Sequence, residues 1–402
     1  MAAGLALCCA SAAAEDLQSL ARDAEGDTLA LIVHGVEGHE ATVREFQRRY
    51  PKLDVQVLVQ NPSTMAPRII IEQQNGIYAW DSWWAGTAAL EHMVRPAGGF
   101  APITDYVVLP DILDPGTWRA PAYRYTSQEP YVFVHSMSVE ETLFFNTDVV
   151  KGLQIRRAQD LLDPRLEGRI AIRDPTAGSA AHNGTYTVAE LVREEGPDFV
   201  RRLLVDQRAA LIENNRQLTD GALRGDYAVV IGGNSEILAQ CQNWGGCRSV
   251  ERLPFGTPVS TRGVAVMRNP PHPKAVKLWI NWLLSREGQE VYVREWAKDQ
   301  SAGASSMRRD VAPDPQQARF DPDYDHLERY GLYGMEVGKE ELARTLRLVE
   351  EVKRGMPRHA PASTLVVLIL ALALVIFMLV RAFTRGAMRP QSPALAGSAP
   401  DR

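Results

Sequence analysis

The stretch Asn269–Val291, NPPHPKAVKLWINWLLSREGQEV, decides how the rest of the chain is read. Pro273 suits the first turn of a helix, where its missing N–H leaves no bond unmade. Val276, Trp279, Ile280, Leu283 and Leu284 then recur at the i, i+3, i+4, i+7, i+8 spacing of one helical face. Ser285 suits the cap of a second helix, with Glu287 in its first turn, where a negative charge meets the positive end of the helix. The stretch predicts a helix pair closing an apolar core, and by itself it carries no chemistry.

Upstream, short apolar runs alternate with helical ones. Asp27–Val33 reads as a buried strand ending at His34-Gly35, Ala41–Tyr50 as a helix, and Leu53–Gln60 as a strand running into Asn61-Pro62-Ser63-Thr64. Met65–Gln74 reads as a helix and Ile77–Trp84 as a strand ending in Ala85-Gly86-Thr87. This pace implies parallel β-α-β units. Ligands of open α/β sheets bind beyond the carboxyl ends of the strands. That places His34, Asn61, Ser63, Trp84 and Thr87 on one rim, with Trp83 assigned to the core. Gln128–Phe145 is a long β-rich run that suits a strand crossing between lobes. Arg169–Arg173 reads as a strand followed by Asp174–Ser179 and a helix from about Ala189. Leu211–Asn215 and Tyr227–Ile231 end at Asn215-Arg216 and Gly232-Gly233-Asn234. A second rim therefore offers Gly178, Ser179, Asn215, Arg216 and Asn234, and Thr261–Met267 reads as the strand returning to the first lobe.

The wording H-P-x-A-x-x-L-x-x-N-W-L-L-S-x-E-G-Q, the Asp81-bearing strand, the phrase D-L-L-D-P-x-x-x-G-x-I-A-I-x-D-P and the G-D-Y strand occur in one order. In that order, over Asp27–Val311, the chain resembles type II periplasmic solute-binding proteins of ABC importers, in the branch related to iron(III)-binding transport proteins. The resemblance implies an α/β fold of two lobes joined by two hinge strands, with a ligand in the cleft, closure on binding and delivery to a membrane permease. The expected division is 27–130 with 262–312 for lobe 1, 131–261 for lobe 2, and a stalk-like extension over 313–359. In iron-binding members a Tyr-Tyr pair ligates the metal on the second lobe. The corresponding Ile231–Asn234 has no tyrosine, so no metal site and no cofactor is expected.

The 402 residues suit two domains plus extras, 45% of them are hydrophobic, and the net charge of −5 lacks the basic footprint of a nucleic-acid binder. The start, MAAGLALCCASAAAE, reads as a secretory leader over 1–14, with Ala12-Ala13-Ala14 before the cleavage point; it has no Lys or Arg at its head. Ala360–Val380 is 21 residues without a charge, a length that as a helix spans roughly 30 Å, the hydrocarbon thickness of a bilayer. The expectation is a periplasmic body anchored to the inner membrane by this segment, with 381–402 as a cytoplasmic tail. Basic residues flank the segment on both sides, so the leader sets the orientation.

No His-Glu-x-x-His, Gly-x-Ser-x-Gly or phosphate-cradling Gly-Lys-Ser/Thr is present, so the reading is not that of an enzyme. The function expected is capture of a small polar or anionic solute for an importer, with Arg216 as candidate anion clamp. A sensor or accessory subunit on the same fold is the alternative. An enzyme with a cysteine nucleophile is a third, resting on Cys241 and Cys247. These two lie in CQNWGGC, and an oxidising periplasm favours a local disulfide between them. Alkylation of the unfolded, unreduced protein is expected to leave both cysteines unmodified; labelling of both would remove the disulfide.

Overall fold

The computed structural model describes residues 16–34, 37–177, 182–234, 250–298 and 305–356, with residues 237, 240 and 303. The strands are β1 (Thr28–Val33), β2 (Asp54–Val59), β3 (Ser82–Gly86), β4 (Phe100–Ala101), β5 (Val132–Val139), β6 (Leu143–Asn146), β7 (Ile170–Arg173), β8 (Ala210–Ile212), β9 (Val229–Ile231), β10 (Val250–Arg252) and β11 (Val259–Met267). The helices are α1 (Leu17–Asp23), α2 (Glu37–Arg49), α3 (Pro62–Gln74), α4 (Pro110–Leu113), α5 (His182–Glu195), α6 (Pro197–Val205), α7 (Asn215–Arg224), α8 (Pro273–Leu284), α9 (Arg286–Ala297) and α10 (Lys339–Gly355). The helix expected from Ala189 thus begins at His182, and the strand expected over Ile77–Trp84 is confined to Ser82–Gly86.

Two sheets result. The first has the order β2-β1-β3-β11-β4, with β5 also on β11; the second has the order β10-β6-β9-β7-β8. β1, β2 and β3 are mutually parallel, and β11 runs antiparallel to β3 and to β5. In the second sheet β7, β8 and β9 are parallel, β6 is antiparallel to β9, and β10 is antiparallel to β6. The chain passes between sheets twice, through residues 140–142 and 253–258. This is the two-lobed arrangement the sequence predicts.

A parallel sheet covered on both faces buries side chains on both. Leu29, Leu31, Val33 and Trp84 join one core with Phe46, Trp279 and Trp282, while Ile32 and Trp83 join another with Met65 and Ile69. Successive residues point to opposite faces, so Trp83 and Trp84 are both buried. Trp84 therefore does not line the cleft, contrary to expectation. Its indole N–H donates to His135 Nε2 at 2.8 Å.

The opening stretch is a structural corner. Ser285 caps α9 by accepting from the Gly288 N–H at 3.2 Å. A Cβ on Gly288 would lie 2.8 Å from the Trp282 carbonyl carbon, so only glycine lets the two helices meet this closely. Asn281, fully buried, accepts from the N–H groups of Val108 and Leu109 at 3.0 and 3.1 Å and donates to the Tyr106 carbonyl at 2.7 Å. His272 donates from its backbone to Asp81 Oδ1 at 2.7 Å, and its Nδ1 lies 2.9 Å from Oδ2. Asp81 Oδ2 also accepts the Ala30 N–H at 2.7 Å, so one buried carboxylate joins β1, the entry to β3 and the entry to α8.

Beyond α9 the chain runs through short 3₁₀ turns before α10. The buried side of α10 carries Thr345, Leu348, Val349 and Val352, with Leu342 and Leu346 half-buried. Among the described residues no helix is long and apolar enough to cross a membrane. The leader 1–14, the apolar segment 360–380, the tail 381–402, Gly178, Ser179, Cys241 and Cys247 lie outside the described residues. Replacing Asp81 by Ala strands the Ala30 and His272 donors, and it is expected to lower unfolding free energy by about 2–4 kcal/mol in urea titration. A loss under about 0.5 kcal/mol, the level of a neutral surface change, would contradict this role.

Candidate functional site

The strand directions decide where the two lobes confront each other. β5 and β3 are both antiparallel to β11, so β5 ends, and β11 begins, at the edge where β3 ends. β6 is antiparallel to β9 and begins where β9 ends, and β10 ends beside the start of β6. Both crossings therefore join the carboxyl-end rim of one sheet to the carboxyl-end rim of the other. The gap between the rims is the candidate site, floored by the crossings.

On the first rim His34 follows β1 and is half-buried; its backbone N–H donates to the Trp84 carbonyl at 3.1 Å. Burial, and then the nearby Arg262 charge, lower the His34 pKa, so the imidazole is neutral at pH 7. Asn61 is exposed at the start of α3, where its carbonyl accepts from Thr64 and Met65, and Ser63 lies in the first turn of that helix. Thr87 is fully buried, its hydroxyl bonded to that of Thr261. A Cβ built on Gly334, in the chain beyond α9, would collide with both hydroxyls, at 2.7 Å from that of Thr261. The chain's own later segment thus covers Thr87, which is not open to a solute.

On the second rim the backbone is packed too tightly for side chains. Gly232 has φ +79°, and a Cβ there would lie 2.5 Å from Gly184 Cα and 2.9 Å from Arg173 Cβ. The Gly232 and Gly233 N–H groups donate to the Thr142 carbonyl at 2.9 and 3.0 Å, and Asn183 Nδ2 donates to the Gly233 carbonyl at 3.1 Å. This ties the end of β9 and the start of α5 to the first crossing. Asn234 follows, half-buried. Asn214 caps α7 by accepting from the Arg216 and Gln217 N–H groups at 2.8 and 3.3 Å. Asn215 is half-buried in that first turn, and the Arg216 side chain is 91% exposed, 3.9 Å from Asp220. That exposure leaves Arg216 in water rather than in an enclosed anion clamp.

Sequence reasoning missed the floor. Arg262 on β11 is buried, donates from Nη1 to Ser138 Oγ at 3.0 Å, lies 3.7 Å from Glu140 Oε1 and sits 4.4 Å above the Trp296 ring. Burial raises the Glu140 carboxyl pKa, and Arg262 opposes that shift. A lone Arg inside an apolar strand was the available signal, because such a group is rarely buried without a partner. Among the described residues no group of three or more His, Cys, Asp or Glu side chains is placed to hold a metal ion.

Comparison with known proteins agrees with this geometry. Residues 40–295 match the family model described as bacterial extracellular solute-binding protein, and the chain belongs to that family. The chain is 17% identical to the Trichodesmium IdiA/FutA protein solved with iron and citrate, covering 81% of this chain and 99% of that one at a TM-score of 0.59. It is 19% identical to the iron-bound HitA of Pseudomonas aeruginosa, over 81% and 99% of the two chains, at a TM-score of 0.58. It is 19% identical to AfuA of Actinobacillus pleuropneumoniae with fructose-6-phosphate, over 81% and 99%, at a TM-score of 0.54. An uncharacterized Haemophilus influenzae protein is 24% identical over 213 residues, 52% of this chain and 59% of that protein. The chain is a binding protein and not an enzyme. The share of 81% amounts to about 326 residues of 402, more than residues 1–312 contain. Part of the segment beyond 312, where the sequence resemblance stops, therefore belongs to the shared fold.

The buried imidazoles beneath the first rim set a pH response. Trp84 can only donate, so His135 Nε2 must accept and the ring is neutral; burial and then Arg262 hold its pKa at about 3. His39 is also lowered well below its ordinary value, by burial first and then Arg262. The unfolded chain takes up these protons near pH 6.5 while the native state does not, so stability falls as pH drops below 6.5. For His135 the slope is about 1.4 kcal/mol per pH unit between that pH and its folded pKa. In denaturant titrations from pH 6 to pH 4, His135→Gln is expected to reduce the slope by about one proton equivalent. An unchanged slope would contradict the buried neutral state.

Proposed function

We propose that the protein is a periplasmic receptor that captures a small polar or anionic solute between its rims and delivers it to an ABC-type importer. The carrying observation is the pair of crossings that joins the two carboxyl-end rims, since such a joint lets two lobes close on a guest and present the closed form to a permease. Asn61, Asn215 and Asn234 supply neutral amides and His34 a neutral imidazole, while Arg262 supplies a cation at the floor. Those groups favour hydrogen-bonding and anionic solutes over cations. Two structural neighbours were solved with citrate beside iron and with fructose-6-phosphate, both anionic species. The glycines at 232 and 233 leave no side-chain ligand where the iron-binding branch carries tyrosines, so the solute we infer is not free ferric ion. Gly178 and Ser179, before α5, and the local Cys241–Cys247 disulfide belong to the same reading.

The leader 1–14 and the uncharged 360–380 support a body outside the inner membrane held by one C-terminal span. Tethering would keep the receptor concentrated near its permease without any new contact. A thermal-shift screen of the soluble part, residues 15–359, against small anions, phosphonates, amino acids, polyamines and Fe(III) tests the reading. A polar or anionic hit is expected to stabilise the fold by about 2.7 kcal/mol at a hundredfold excess over Kd, and Asn234→Ala and Arg262→Met are expected to weaken it. Stabilisation by ferric ion alone would overturn the choice of solute, and a hit indifferent to both substitutions would overturn the site.

A further inference from the structure

The segment between α9 and α10 touches both lobes at one residue. Tyr333 is fully buried and its ring lies 5.4 Å from that of Tyr186 on α5, in the second lobe. Its hydroxyl donates to Glu190 Oε2 at 3.0 Å, and the same oxygen accepts the Gly331 N–H at 3.0 Å. Glu190, itself buried, takes Arg193 Nε on its other oxygen at 3.1 Å. The Tyr333 carbonyl meanwhile lies 3.0 Å from His92 Nε2 in the first lobe, just past β3. The next residues stay on that lobe: Gly334 fits against Thr87 and Thr261, and the Glu336 N–H donates to the Thr126 carbonyl at 3.0 Å. The chain then returns to the second lobe along α10, where Leu342 packs beside Tyr186 and Ala189. Lys353 Nζ donates to Asp174 Oδ2 at 2.6 Å and Thr176 Oγ1 at 2.7 Å, on the loop that follows β7.

We propose that residues 331–353 form a strap that restrains the separation of the two lobes, with Tyr333 as its latch. The crossings at 140–142 and 253–258 are short. The strap adds a third covalent path between them, anchored on lobe 1 by Tyr333, Gly334 and Glu336 and on lobe 2 by Tyr333, Leu342 and Lys353. Opening by rotation about the crossings must pull His92 and Thr87 away from Glu190 and Tyr186. The Tyr333 ring and hydroxyl hold one side while its carbonyl holds the other. The width of the open state is then set by this latch rather than by the crossings alone.

The test is the inter-lobe distance distribution of the full chain, without solute, by double electron–electron resonance. Spin labels are carried on a bio-orthogonal amino acid at exposed Gln74 and Lys151, which leaves the four cysteines untouched. Tyr333→Ala is expected to add a longer-distance population absent from the wild type. Tyr333→Phe, which keeps the ring and loses only the hydroxyl bond, is expected to add a smaller one and guards against a misfolded alanine variant. Gly334→Ala, which forces a methyl group against Thr87 and Thr261, is expected to resemble Tyr333→Ala. Glu350→Gln, on the exposed side of α10, serves as a comparison and is expected to leave the distribution unchanged. Unchanged distributions in all three latch variants would overturn the proposal, whether or not hydrogen exchange over 331–336 had accelerated.

Discussion

Two short connections, 140–142 and 253–258, constrain everything else in this molecule. They are antiparallel in effect: one leaves the rim of the first sheet, the other returns to it, and both meet the second sheet at its own rim. Loop placement, helix N-termini and the candidate site follow from that geometry. In a parallel sheet every strand ends at the same edge, so rims joined at that edge bring six strand ends around one gap. The floor of the gap carries the buried Arg262, and Glu140, Ser138 and the Trp296 ring offset the cost of burying its charge.

The family wording that makes the sequence readable turns out to be architecture rather than chemistry. His272, Asn281, Ser285 and Gly288 cap, bridge or permit close approach within the α8–α9 corner. None of them reaches the gap. Such a motif reports the fold well because its residues solve fixed geometric problems, namely a buried carboxylate to satisfy and a helix crossing with no room for a Cβ. It reports nothing about the solute.

Most strands and helices were legible, because apolar runs of four to eight residues bounded by Gly, Pro and Asn follow directly from burial and turn chemistry. The rim was legible only as a set of chain positions. His34, Asn61, Asn215 and Asn234 lie at strand ends or helix starts as the alternation requires. Trp84 and Thr87 do not serve a solute, and the reason is tertiary. A sheet covered on both faces takes Trp84 into its core, and a segment nearly 250 residues later in the chain covers Thr87. No local pattern carries that second fact. Arg216 follows a strand, as an anion clamp would, yet the Asn214 cap turns its side chain outward into solvent. The strap shows the same limit: no local pattern in residues 331–336 marks a link between lobes, and only the three-dimensional path reveals that Tyr333 touches both.

The proposed capture requires two lobes that draw together over a guest. Small-angle X-ray scattering of the protein, recorded with and without a solute found to stabilise the fold, measures this directly. A smaller radius of gyration in the bound state is the predicted result. Superimposable profiles at saturating solute would contradict it.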